Sequence, residues 1–202
     1  MAYHGVKFKT EFVDKKIPKD PRLKELKYWC KKFHELKLAP PYKGGSYGNL
    51  SFRIKKGSNQ FIITGTRIGL KDCLADNCFV RVSKVDLKKG IVYSHGAKDP
   101  SSESMLHFAI YKARPEVNAV FHGHCKAILC RAKKLKLCQT QKKEPYGTVK
   151  LVKSVLKALG RKKFIIMKGH GFIAMGKTPA DAGRTAIEIH SLWEPGSHSE
   201  FA

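Results

Sequence analysis

The first recurring pattern along the chain is helical. Between Pro21 and Leu38 the apolar residues Leu23, Leu26, Cys30 and Phe33 repeat at three- and four-residue spacing. This predicts a helix with one buried face, ended by Pro40-Pro41. The period then changes to two. Leu50, Phe52 and Ile54 alternate with polar neighbours, Lys55 to Asn59 reads as a turn, and Phe61 to Thr64 returns as a second strand. Cys78 to Val85 alternates again, and Lys88-Lys89-Gly90 turns the chain into a short strand, Ile91 to Tyr93.

In the second half, helical and strand patterns interleave. A helix is expected from Pro100 to Ala113, a buried strand over Val117–Phe121, and helices over Cys125–Leu137 and Thr148–Leu159. Strands follow at Phe164–Met167 and Phe172–Met175. Thr178 and Pro179, as cap and first residue, open a last helix with Ala182, Ala186, Ile189 and Trp193 on its inner face. Hairpins first and strand–helix alternation later predict an α/β or α+β fold with a mixed sheet. Residues 1–20 show no pattern and read as a basic arm, residues 21–195 as one domain, and 196–202 as a flexible tail.

Composition narrows the partners. The 202 residues carry 40 Lys and Arg against 16 Asp and Glu, a net charge of +24, while 42% of residues are hydrophobic. That apolar content excludes a disordered basic tail. The charge favours nucleic acid, an anionic membrane or small anionic substrates. The apolar runs are strand-sized and the first residues are broken by charges, so neither a membrane span nor a secretory signal is expected, and the expected compartment is the cytoplasm. The six cysteines show no C-x-x-C spacing, which removes a zinc ribbon and predicts reduced, buried thiols.

Histidine placement carries the first chemistry. In Phe121-His122-Gly123-His124, positions i and i+2 of a strand share one face, so both imidazoles project together. His170 stands between Gly169 and Gly171 just after a predicted strand. Three imidazoles with an open position make a catalytic zinc pattern. For the pair alone, two half-buried strand histidines are the more ordinary reading; a third histidine between glycines shifts the balance, although spacing alone does not bring His170 to it. Asp99-Pro100-Ser101-Ser102-Glu103 reads as a capped helix start, or as hydroxyls and N–H groups around an anion with Glu103 beside a metal. Gly171 to Thr178 spells G-x-x-x-x-G-K-T, but its apolar interior and the following Pro179 argue for strand, turn and capped helix over a phosphate loop.

Read together, these segments resemble the class II aldolase/adducin family. The resemblance is carried by Gly48-Asn49-Leu50-Ser51-Phe52-Arg53, Ile63-Thr64-Gly65-Thr66, Ser101-Ser102-Glu103, His107 with Ile110-Tyr111, Arg114-Pro115, His122-Gly123-His124 and Gly169-His170-Gly171, in the family's order. It implies a three-layer α/β/α domain with a mostly antiparallel central sheet, assembled as a homotetramer with sites between subunits. It implies one Zn2+ per subunit on His122, His124 and His170, with Glu103 as the remaining ligand and the proton carrier. Gly48, Asn49, Thr66, Ser101 and Ser102 fall on phosphate-binding positions. The implied reaction is aldol cleavage of a small phosphorylated sugar or hydroxyketone through a zinc-stabilised enediolate. Sister activities of the family are epimerisation, dehydration and decarboxylation.

Two departures stand out. Arg67 occupies a position where the family's aldolases have a phosphate-binding glycine; it could bind phosphate or carboxylate, or block the pocket. The stretch between His124 and Thr148 is shorter than in those aldolases and lacks a match for the tyrosine a neighbouring subunit supplies. Tyr146, the one tyrosine there, falls nearer a structural position. Half the net charge, +12, lies between Lys126 and Lys163, which hold 13 Lys and Arg and one acid, Glu144. A basic nucleic-acid-binding protein on this fold is the competing class, though no recognition motif accompanies the charge. A non-catalytic adducin-like module would be expected to lose the metal ligands, which are all present.

Overall fold

The computed structural model describes residues 5–192. Its strands are β1 (Lys9–Asp14), β2 (Pro41–Tyr42), β3 (Gly45–Ser46), β4 (Asn49–Arg53), β5 (Phe61–Thr64), β6 (Phe79–Asp86), β7 (Ile91–His95), β8 (Ala119–Gly123), β9 (Phe164–Met167) and β10 (Gly171–Gly176). Its helices are α1 (Leu23–Glu35), α2 (Ser104–Ala113), α3 (Lys126–Arg131), α4 (Val149–Leu159) and α5 (Pro179–Ser191). Eight strands form one sheet in the order β1-β7-β6-β5-β4-β8-β10-β9, while β2 and β3 form a separate hairpin. Within the large sheet only the β1–β7 pairing is parallel.

Strand alternation splits the core in two. Leu50, Phe52, Phe121 and Phe172 point to one face, where they pack with Leu26 and Phe33 of α1, Ile128 of α3 and Ala182 of α5. Ile63, Val120, Ile165 and Ile173 point to the other, against α2 and α4. The architecture is therefore three-layer α/β/α with a mostly antiparallel central sheet. β9 and β10 are covered on both faces, which is why they read as unbroken apolar runs. Among the described residues no helix is long and apolar enough to cross a membrane.

Four differences from the sequence pattern have local causes. The pattern predicts no element before Pro21, yet Lys9–Asp14 adds a parallel edge strand, held by Lys9 N–H donating to Gly90 O (2.9 Å) and by Asp14 Oδ2 2.9 Å from His95 Nδ1. α2 starts at Ser104 instead of Pro100. The preceding residues are drawn to the sheet: Pro100 bridges Gly65, Ser101 N–H donates to Thr64 O, and Asp99 O accepts from Thr66 N–H, so Asp99 is not the cap. The helix expected over Cys125–Leu137 stops at Arg131; the chain goes on in turns to Lys136, which enters the left-handed region (φ 50°), and Gln139 then bridges to Ile166 of β9. The cysteines are free, but Cys73 and Cys130 are exposed; only Cys30 and Cys78 are buried.

The last helix follows the expected capping. Thr178 Oγ1 accepts from Asp181 N–H (3.1 Å) and Pro179 takes the first turn, so the G-x-x-x-x-G-K-T string is strand, turn and cap. Trp193, the tail 196–202, His4 and His198 lie outside the described residues.

Candidate metal centre

His122 and His124 sit at the carboxyl end of β8 and just beyond it. β10 runs antiparallel beside β8, pairing Ile173 with His122, and the β9–β10 turn carries His170. Gly169 at φ 64° makes that turn, and His170 N–H donates to Met167 O (2.9 Å). A Cβ on Gly171 would stand 2.4 Å from Gly123 O and 2.7 Å from His122 Cε1, so only glycine lets the turn come this close. The sheet therefore joins the pair and the third histidine, which spacing left apart.

The three rings converge, with centroids 4.7, 4.9 and 5.0 Å apart and one nitrogen from each within 4.8 Å of the others. His122 is buried, and its Nδ1–H donates to Phe172 O (2.8 Å). That bond leaves the His122 Nε2 lone pair facing His124 Nε2, 3.0 Å away. Burial holds all three rings neutral: His122 well below its ordinary value, His124 down to about 3, His170 down to about 4. Glu103 completes the cluster, with Oε1 3.7 Å from His170 Nε2. It is buried and neither oxygen makes a hydrogen bond of good geometry. Burial pushes its carboxyl up to about 7, opposed by the nearby Gly147 amide and the charge of Lys7. Converging neutral imidazoles and an unpartnered buried carboxylate fit a divalent metal ion, which would relieve both the facing lone pairs and the carboxylate.

These four residues line one cavity of about 250 Å³ together with Gly48, Asn49, Thr66, Arg67, Ser101 and Ser102. All ten residues singled out in the sequence thus share one space. Ser101, Ser102 and Asn49 are buried, and Arg67 is exposed at the edge with a left-handed backbone (φ 52°).

Three contributors escape a sequence reading. Tyr47 stacks on His124, centroids 4.8 Å apart at 29°. The buried Lys71 donates to Ser46 O, Ser46 Oγ and Tyr47 O at 3.0–3.2 Å, and burial lowers its ammonium to about 8. Tyr146 lines the cavity, where the resemblance placed it nearer a structural position. The left-handed Gly147 beside it (φ 65°) was the available signal.

Residues 24–194 match the model of the class II aldolase and adducin N-terminal domain. The chain belongs to this family. It is 29% identical over 155 residues to the L-fuculose phosphate aldolase of Methanococcus maripaludis, covering 70% of this chain and 79% of that protein. It is 26% identical over 165 residues to the 5-methylthioribulose-1-phosphate/5-deoxyribulose-1-phosphate aldolase of Rhodospirillum rubrum, covering 74% and 70%. The fold is shared with a sugar-phosphate aldolase from Thermotoga maritima, at a TM-score of 0.69, 18% identity, and coverage of 84% of this chain and 90% of that one.

Proposed function

We propose that the protein is a zinc-dependent aldolase that cleaves a small phosphorylated sugar or hydroxyketone. One observation carries this reading: His122, His124, His170 and the unpartnered Glu103 open into the same cavity as Asn49, Thr66, Ser101 and Ser102. The three histidines and Glu103 would hold zinc, which supplies Lewis-acid stabilisation of negative charge on a substrate oxygen. The relatives named above, a fuculose phosphate aldolase and a methylthioribulose phosphate aldolase, support the sugar-phosphate class.

The chain's own residues divide the remaining work. Asn49 and the Ser101 and Ser102 hydroxyls bind the phosphate and set the register of the carbon chain against Glu103. Glu103 moves a proton at its carboxylate: it takes the O–H proton of the hydroxyl that becomes the aldehyde as the carbon–carbon bond breaks, and returns it to the carbon that retains the electron pair. Tyr47 and Tyr146 exclude water from the cavity. The net charge of the chain raises the local concentration of an anionic substrate.

The experiment is metal analysis joined to a screen of sugar phosphates. Purified protein should hold about one zinc per chain, and Glu103→Gln should keep zinc while losing about 10²-fold or more in turnover. Full turnover in His122→Ala, or turnover indifferent to chelation, would refute the assignment.

A further inference from the structure

The residues that precede β1 run along the cavity. The Gly5 carbonyl accepts from Ser102 Oγ (3.4 Å), and a Cβ on Gly5 would stand 3.8 Å from the Arg67 guanidinium. Two residues on, the Lys7 stem lies against Gly147, 3.5 Å from where that residue's Cβ would be. The Lys7 ammonium stands over the Tyr146 ring, 4.0 Å from its centroid. Phe8 is buried in the core, and β1 then locks to β7. The segment is thus fixed on one side and touches Ser102 and Tyr146, with Arg67 close by, on the other; all three line the cavity.

We propose that Lys7 is a substrate-phosphate-binding residue, so that the N-terminal arm forms part of the anion subsite. This deepens the sugar-phosphate reading above and rests on it. A phosphate dianion held by Asn49, Ser101 and Ser102 meets neutral donors only, and its charge needs cations nearby. Lys71 is occupied by Ser46 and Tyr47, and Lys143 lies against Gly169 on the His170 side. On the Ser102 side, among the described residues, Arg67 lies near Gly5, which binds Ser102, and Lys7 lies against Gly147 and Tyr146. The charge of Lys7 is felt at Glu103, so the ammonium is within electrostatic reach of the cavity interior. An exposed cation–π contact is weaker than a charge-assisted bond to phosphate, so the flexible stem leaves the ring when a phosphate arrives.

The test is calorimetric titration of zinc-loaded protein with inorganic phosphate. Lys7→Ala should bind about tenfold more weakly than the parent, while Lys7→Arg stays close to it. Lys9→Ala removes the same charge from the same arm, two residues away, and should bind as the parent does. Equal weakening by Lys7→Ala and Lys9→Ala, unchanged binding by Lys7→Ala, or no phosphate binding by the parent would each overturn the proposal. In turnover of a sugar phosphate, Lys7→Ala should raise KM. Zinc content and the Glu103→Gln experiment do not involve Lys7, so failure of the aldolase reading is seen separately.

Discussion

Asn49 of β4 stands directly opposite His122 of β8 in the antiparallel register. The residue that begins the proposed anion-binding segment and a residue of the histidine cluster are therefore cross-strand neighbours, set by one ladder of backbone hydrogen bonds. Any slip of that register would displace both halves of the site together. The turn that leads into β4 is as tightly placed: a Cβ on Gly48 would lie 2.6 Å from His122 O, at a φ of 77°.

Gly48→Ala is accordingly expected to damage stability and the metal cluster at once. A left-handed alanine costs about 1–2 kcal/mol, and the collision with backbone adds a further ~1–3 kcal/mol. Thermal unfolding should drop by several degrees and zinc affinity should fall with it. An alanine variant that melts with the parent and binds zinc normally would show that β4 and β8 are not coupled as described.

Removal of metal should be visible in stability without any assay of turnover. A ligand bound only by the folded chain, present at a hundred times its Kd, stabilises by about 2.7 kcal/mol. Zinc should therefore raise the melting temperature of the parent, and the increment should vanish in His122→Ala and in His170→Ala. An equal increment in the variants would place the zinc elsewhere on the molecule.

Much of this site could be read from local sequence. Period-two spacing put His122 and His124 on one face, and the glycines around His170 marked a turn. What spacing could not supply was the β8–β10 pairing that brings His170 to the others, because strand order is a long-range property. Lys71 and Tyr47 were illegible for a related reason: nothing local separates a buried, carbonyl-bound lysine from a solvated one. β1 was missed because it is a charged edge strand paired on one side only, so apolar alternation is weak. Cys125–Leu137 was over-extended because Ala132 and Leu135 continue the helical spacing from Ile128 beyond Arg131, where α3 ends.

Arg67 offers a test in which stability and binding move oppositely. Its φ of 52° is unfavourable for a side-chain-bearing residue, and glycine is at ease there. Arg67→Gly should gain up to about 1 kcal/mol of stability while weakening phosphate binding about tenfold or more. A variant that is no more stable and binds phosphate equally well would remove Arg67 from the anion subsite.

Lys71 acts on His124 through Tyr47, whose carbonyl it binds and whose ring stacks on the imidazole. It is a positioning residue, and such outer partners typically change metal affinity about 10–100-fold. Lys71→Met should weaken zinc binding about tenfold, measured by competition with a chelator, with the fold retained by circular dichroism. Unaltered zinc affinity would mean that the Tyr47 stack is held by other contacts.

His107 provides a pH signature away from the metal cluster. Its ring is fully buried in α2, with Nδ1 2.7 Å from Ser51 Oγ, which in turn is 2.7 Å from the Tyr111 hydroxyl. Nε2 has no partner, and burial lowers the ring from 6.5 to about 3. A depressed folded-state value means that the unfolded chain takes up a proton first as the solution is acidified. Stability from the neutral ring is therefore complete above about pH 6.5 and is lost as the pH falls towards 3. At about pH 4.5, two units below the unfolded value, the loss amounts to about 2–3 kcal/mol. His107→Gln lacks this proton uptake, and leaving Ser51 and Tyr111 differently bonded changes its stability by an amount independent of pH. Urea unfolding of metal-free parent and variant at pH 7 and 4.5 should show the parent losing about 2–3 kcal/mol more than the variant over that interval. Carboxylates, His124 and His170 cancel in the difference, and His122, which also feels the charge of His107, is held neutral chiefly by its own burial in both proteins. Equal losses would mean that water reaches His107, and that the joint between β4 and α2 behind the cavity is not dry.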